Sequence, residues 1–167
     1  MGDGVGEGPG DRAKHTAGDG GAGGVFDVAT GDGPPDSQPA GADDRAAQVR
    51  TAFDGLSQIR RLTGTAPATW ERLRPVRAVA LALEAGGVPP SAVDAEGGRV
   101  ATGYRVRGAD RAGVVWVEWL GPAGSGAARE EEVRLRECVT VLAAAGWEAL
   151  LYRGPRRRRF LEVEPGA

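Results

Sequence analysis

Apolar and polar residues alternate over Arg99 to Arg107 and again over Gly113 to Leu120 (GVVWVEWL). A period of two is that of a strand with one face toward a core, and the Val and Trp of the second run reinforce the reading. Gly108 to Gly113 is the turn between them, and Gly121 to Gly126 (GPAGSG) is a loop. The period then lengthens. Leu135, Cys138, Val139 and Leu142 recur at steps of three and four, which predicts a helix over 128–145 that starts acidic at Glu130, Glu131 and Glu132 and stops at Gly146. Alternation returns over Trp147 to Arg153 and Arg158 to Glu164, with Gly154-Pro155 opening the turn.

The first half of the chain reads as helical. Val49, Phe53, Leu56, Ile59 and Leu62 form a stripe that predicts a helix over 45–62, capped by Asp43 or Asp44 and ended by Gly64. Trp70, Leu73, Val79, Ala80 and Leu83 follow, but Pro75 biases Arg74 away from helical geometry. The pattern fits a kinked helix over 67–86 or a turn followed by a helix over 75–86. Ser91 with Asp94 resembles a capping box, although Gly97-Gly98 leave room for one turn only. The order α-α-ββ-α-ββ predicts an α+β two-layer sandwich, a four-stranded antiparallel sheet with helices on one face. That cyclic order resembles a permuted ferredoxin-like fold, which implies nothing about function. At a spacing of 59, Arg77, Val79, Ala80, Leu83 and Gly87 line up with Arg136, Cys138, Val139, Leu142 and Gly146, a faint sign of two αββ halves.

Composition separates this domain, 45–167, from what precedes it. Residues 1–44 hold 13 Gly and 4 Pro, with Val5, Val25, Phe26 and Val28 as their only large apolar residues beyond the start. Burial of so little surface does not offset an ordering entropy of about 1–2 kcal/mol per residue, so this segment is expected to be a disordered tail. Its nine acids against Arg12 and Lys14 make it −7, whereas 45–167 is +5, with 19 Arg against 14 acids. An acidic arm on a basic body is either a solubilising chain or an electrostatic cover. Arg supplies 20 of 21 basic residues and Asn is absent, a bias typical of high-GC coding sequences that dilutes the meaning of any one arginine. The pattern GVVWVEWL, AAAGWEALLYR, RFLEVEP is similar to short proteins of high-GC bacteria and implies no activity.

Candidate chemistry is sparse. The single Cys138 excludes an internal disulfide, and no secretory, myristoylation or membrane-spanning pattern is present, so a cytoplasmic location is expected. The only histidine, His15, lies in the tail, leaving 45–167 without His or Lys and without the usual general bases. Cys138 sits on an apolar stripe and reads as a buried small hydrophobe. Gly18-Asp-Gly20-Gly21-Ala-Gly23 matches a dinucleotide fingerprint but lacks the flanking strand and helix. The loop Gly121–Gly126 is better placed, yet Ala127-Ala128 stand where a phosphate loop needs Lys and Ser or Thr, and three Glu follow. It reads as a connector. Glu118 and Glu162, both on strands, are the remaining carboxylate pair for an enzyme. No metal, cofactor or catalytic residue is assigned.

The sheet carries the functional expectation. Alternation puts Tyr104, Val106, Val115, Val117, Trp119, Trp147, Ala149, Leu151, Leu161 and Val163 on the helix-covered face. The other face receives Val114, Trp116, Glu118, Leu120, Leu150, Tyr152 and Phe160, rimmed by Arg105, Arg107, Glu148, Glu162 and Glu164. A large apolar patch is seldom left bare on a monomer. Helix 45–62 covers it, or a homodimer or other protein partner docks there, or single-stranded nucleic acid stacks on its aromatics. The arginines Arg153, Arg156, Arg157, Arg158 and Arg159 at the last hairpin are a second candidate, for nucleic acid or an acidic partner. The reading reached from sequence is a non-enzymatic protein-interaction module, with a nucleic-acid-associated protein as the alternative.

Overall fold

A computed structural model describes residues 26–35 and 41–167. The remaining residues of the expected tail, with His15 and Gly18–Gly23, lie outside the described residues. The fold is α+β, with helices packed on one face of a four-stranded antiparallel sheet.

Helix α1 spans Gly41–Thr63, with Asp43 and Asp44 in its first turn and Arg60 and Arg61 in its last, as the helix dipole favours. The break expected at Pro75 is real. α2 (Thr69–Leu73) and α3 (Pro75–Ala85) are separate helices, and Arg74 between them is non-helical (φ −132°, ψ 60°). Proline then serves as the first residue of α3, where its missing N–H costs nothing. β1 (Ala92–Val93) and β2 (Arg99–Ala101) form a small hairpin of their own. The main sheet is made by β3 (Gly103–Gly108), β4 (Val115–Leu120), β5 (Trp147–Arg153) and β6 (Arg159–Pro165), with α4 (Ala127–Ala144) crossing between β4 and β5.

Two expectations change at β1–β2. Ser91 and Asp94 do not cap a helix. Asp94 Oδ1 instead accepts the Glu96 and Gly98 amides (3.0 and 2.7 Å) and closes the β1–β2 turn, while the Ser91 hydroxyl donates to Ala101 O at 2.8 Å. The strand expected over 99–107 is divided at Thr102 between two sheets. Pro89 and Pro90 run beside the start of β3, where Tyr104 N donates to Pro89 O (2.9 Å). A Cβ on Gly103 would lie 2.3 Å from Pro89 O, so only glycine admits that approach.

The strand order β3-β4-β6-β5 is the order produced by two αββ units related by a two-fold axis through the sheet. The first unit carries the β1–β2 hairpin as an addition. The core lies between the sheet and α3 with α4. Tyr104, Val106, Val115, Val117, Trp119, Trp147, Leu161 and Val163 meet Val79, Leu83, Leu135, Cys138 and Leu142, all buried. Cys138 is the buried small hydrophobe the stripe implies, and burial, with Glu137 adding to it, pushes its thiol up to about 12.

α1 does not lie on the sheet. Its Val49 and Leu56 pack with Leu81 of α3, on the side of α3 away from the strands. Beyond Leu56 the stripe stops packing, since Ile59 and Leu62 are exposed. Two forked ion pairs hold the helix instead. Arg45 Nε and Nη2 donate to Glu84 (2.8 and 2.9 Å), and Arg60 Nε donates to Glu71 Oε2 at 2.8 Å with Nη2 on Oε1. Glu71 is completely buried and also accepts the Ala68 amide at 2.7 Å.

Residues 26–35, expected within the tail, run along the outer edge of β3. Val106 N donates to Thr30 O (2.7 Å), Val93 N to Gly33 O (2.9 Å) and the Tyr104 hydroxyl to Ala29 O (2.8 Å). Asp32 pairs with Arg99 (2.6 Å) and Arg105 (2.9 Å). Burial raises the Asp32 carboxyl, but the guanidiniums of Arg105 and Arg99 outweigh it and hold it below its ordinary value. Phe26 packs beside α1 with the Arg45 guanidinium 4.9 Å from its ring centre, and Val28 reaches the core.

Because Arg60 is mostly buried and has its charge met by Glu71, Glu71→Ala strands a cation and is expected to cost about 3 kcal/mol in urea unfolding. Glu84→Ala, at a more open pair, should cost about 1 kcal/mol or less. Equal losses would contradict the account of how α1 is held.

Candidate functional site

The sheet face opposite α3 and α4 is open among the described residues. α1, the one element expected to compete for it, sits on α3. The register builds a diagonal row of side chains across all four strands. Arg107 is opposite Trp116, Trp116 is opposite Glu162, and Phe160 is opposite Tyr152. The Arg107 guanidinium lies 4.4 Å from the Trp116 ring centre, a cation–π contact. Trp116 and Phe160 are tilted at 5.2 Å between ring centres, and Phe160 and Tyr152 stack at 5.9 Å. Leu150 and Tyr152 are 48% and 44% exposed, while Trp116 and Phe160 are half-buried by one another. Trp116 Nε1 is buried without an acceptor. The sequence-assigned residues Trp116, Leu150, Tyr152, Phe160, Arg105 and Arg107 therefore share one surface. Val114 does not join them; it precedes β4 and is buried.

The charges on this face are interleaved, with each of its arginines paired to a carboxylate. Arg105 and Arg107, on β3, both reach Glu118 Oε2 (3.4 and 3.2 Å). Arg111, from the β3–β4 turn, reaches Glu162 (3.1 Å) and Glu164 (2.9 Å) at the far side. Glu148 on β5 stands directly opposite Glu164 and makes no ion pair among the described residues. Like charges in that position repel. Glu118 and Glu162, the carboxylates considered for catalysis, are not register partners, and each is bound to arginine. Neither lines the cleft beside Gly121–Gly126.

The arginines of the last hairpin separate into two groups. The Arg159 amide donates to Glu131 Oε1 at 2.5 Å, Arg158 Nε lies 3.4 Å from Glu131 Oε2, and Arg159 Nη2 lies 2.9 Å from Glu132. Arg153, Arg156 and Arg157 are exposed and make no ion pair among the described residues. Glu131, expected at a solvated helix start, is only 3% exposed. Its place four residues before Leu135 put it on the apolar stripe, a signal masked by the run of three acids. The turn itself is unusual. Arg158 N donates to Pro155 O (3.3 Å), and Arg156 and Arg157 between them have φ of 60° and 61°. Two successive left-handed residues, within the three-residue loop Pro155–Arg157, are the conformation for which Asn-Gly is preferred.

The loop Gly121–Gly126 borders a cleft of about 540 Å³ together with Arg99, Trp119, Arg129 and Arg158. Glu131 and Glu132, counted as repelling an anion there, face the hairpin arginines instead. Among the described residues no group of three or more His, Cys, Asp or Glu is placed to hold a metal ion, and no helix is long and apolar enough to cross a membrane. Compared with protein-family models, curated proteins and solved structures, the chain matches none.

Left-handed geometry costs a non-glycine residue about 1–2 kcal/mol. Replacing Arg156-Arg157 by Asn-Gly should therefore stabilise the domain by about 1–2 kcal/mol, read as a higher urea midpoint at unchanged slope. A loss of stability would show that the two side chains hold the hairpin.

Proposed function

We propose that this chain is a non-enzymatic protein-interaction module whose docking surface is the open face of the four-stranded sheet. The observation that carries the reading is the position of α1. With α1 on α3, the row Trp116, Phe160, Tyr152 and the neighbouring Leu150 are left without a cover among the described residues. Rigid aromatic anchors and arginine are enriched at protein interfaces, within a polar rim.

A nucleic-acid reading rests on the exposed Arg153, Arg156 and Arg157. It is the weaker one for the sheet face. Glu118, Glu148, Glu162 and Glu164 lie there and oppose phosphates, and Arg105 and Arg107 are already engaged by Glu118.

A photo-cross-linking residue placed at position 152 of the full chain in living cells separates the two. The expected product is a discrete, protease-sensitive and nuclease-resistant adduct that disappears with Trp116→Glu. The same probe at Val133, exposed on α4, should yield none. Nuclease-sensitive material alone, or equal adducts at both positions, would overturn the reading.

A further inference from the structure

We infer that the last hairpin and the cleft beside it form a second surface, distinct from the open sheet face, that takes the phosphate backbone of a nucleic-acid duplex.

The sequence concentrates charge there. From Ala149 to Leu161 the chain holds five arginines and no acid. Arg153 and Arg159 stand opposite one another, each two residues beyond Leu151 or Leu161 of the helix-covered face. Strand alternation therefore turns both toward the α4 side, away from the row of Trp116, Phe160 and Tyr152. Beyond the Val117–Leu161 pair, β6 is joined to β5 alone, so the end of the hairpin leaves β4.

Much of that charge is surplus. Glu131 and Glu132 are the carboxylates that meet the hairpin, and Arg136, Arg158 and Arg159 already engage them. Glu130 is taken by Arg134 at 3.8 Å. Arg153, Arg156 and Arg157 are left exposed with no ion pair among the described residues. A fourth cation joins them. Arg129, exposed and likewise without an ion pair among the described residues, lines the cleft of about 540 Å³ that Arg158 borders from the hairpin. No carboxylate of the described residues lines that cleft.

The backbone of the turn points the same way. Arg156 and Arg157 hold φ of 60° and 61°, a conformation easier for glycine or asparagine. Strain of this kind collects at functional sites. Two long cations kept in strained positions give up stability for charge at the turn.

The class of partner follows from what this surface lacks. Single strands are held by stacking on exposed aromatic rings as well as by charge, and the aromatic row lies on the other face. Trp119, the aromatic residue of the cleft, is only 2% exposed. A protein partner calls for a large apolar or aromatic anchor, and residues 153–159 contain none. Duplex phosphates need neither. Guanidinium forks match them, and such contacts fix position without reading base sequence. Four surplus arginines give a slope of log affinity on log salt of about −3 to −4.

Fluorescence anisotropy of a labelled duplex of about 20 base pairs, titrated with the full chain between about 50 and about 200 mM salt, tests this. DNA and RNA duplexes run in parallel identify which backbone is taken, and salt-dependent binding of either supports the inference. Arg156→Asn combined with Arg157→Gly is expected to lower the slope by about two and to weaken binding more than about tenfold at the lowest salt, in a domain whose urea midpoint rises. Loss of binding in a stabilised fold separates contact from folding. Arg129→Gln and Arg153→Gln, both at exposed positions, should each lower the slope by about one with circular dichroism unchanged, whatever the turn variant does. Leu150→Ser, on the open sheet face, should leave duplex binding as it is, so that failure here and failure of the protein-docking face are read separately. No change in anisotropy up to about 500 µM chain at about 50 mM salt overturns the inference, as does binding that none of the arginine variants weakens. A single strand bound more tightly than the duplex overturns the duplex assignment. Polyglutamate competing as well as unlabelled duplex at equal charge overturns nucleic acid in favour of an acidic protein.

Discussion

A carboxylate with no exposure to solvent, Glu71, decides where the first helix goes. It is a buried residue of α2 and is tolerable there only because Arg60 forks onto it and the Ala68 amide donates to it. A buried charge without those partners would cost several kcal/mol, so the C-terminal end of α1 is tied to one place. The Arg45–Glu84 fork ties the other end to α3. Between them, Val49 and Leu56 add apolar contact with Leu81. These three attachments put α1 on the far side of the helix layer, and the bare sheet face is their consequence.

The two edges of the sheet are treated differently, which bears on how that face is used. Residues 26–35 lie along β3, satisfying the Val106 amide and clamping Asp32 between Arg99 and Arg105. An edge so occupied does not template another strand. Clamping also holds Arg105 in place at the β3 edge of the open face. At the opposite side, α4 reaches over the last hairpin through Glu131 and Glu132, fixing Arg158 and Arg159 and leaving Arg153, Arg156 and Arg157 to solvent. The face between these two fixed sides is a rigid surface, and rigidity lowers the ordering cost of docking.

Much of the sheet was legible because period-two alternation states directly which side chains share a face. Each of the ten residues assigned to the helix-covered face is buried or half-buried there, and the six interface candidates lie together on the other. The break before Pro75 was legible for the same kind of reason, since the constraint is local. What alternation and periodicity do not encode is a partner. The stripe of α1 identified a helix with one apolar side but not α3 as its target, and its exposed end at Ile59 and Leu62 is replaced by an ion pair to Glu71 that no spacing rule announces. Residues 26–35 were hidden because they bind mainly through backbone carbonyls and one aspartate, with Phe26 and Val28 as isolated apolar contacts, in a stretch whose Gly and Pro content reads as tail. Glu131 was hidden inside an acidic run, and the interruption at Gly103 depends on two prolines that approach it only in the folded chain.

The account stands on the sheet face being uncovered in the single copy. Solvent paramagnetic relaxation measured on dilute protein reads this atom by atom. Ring protons of Tyr152 and methyls of Leu150 should relax strongly, while the methyls of Val49, Leu56 and Leu81 stay protected. Protection of Tyr152 and Leu150 in the dilute monomer would mean that the chain covers its own sheet, and would contradict the account.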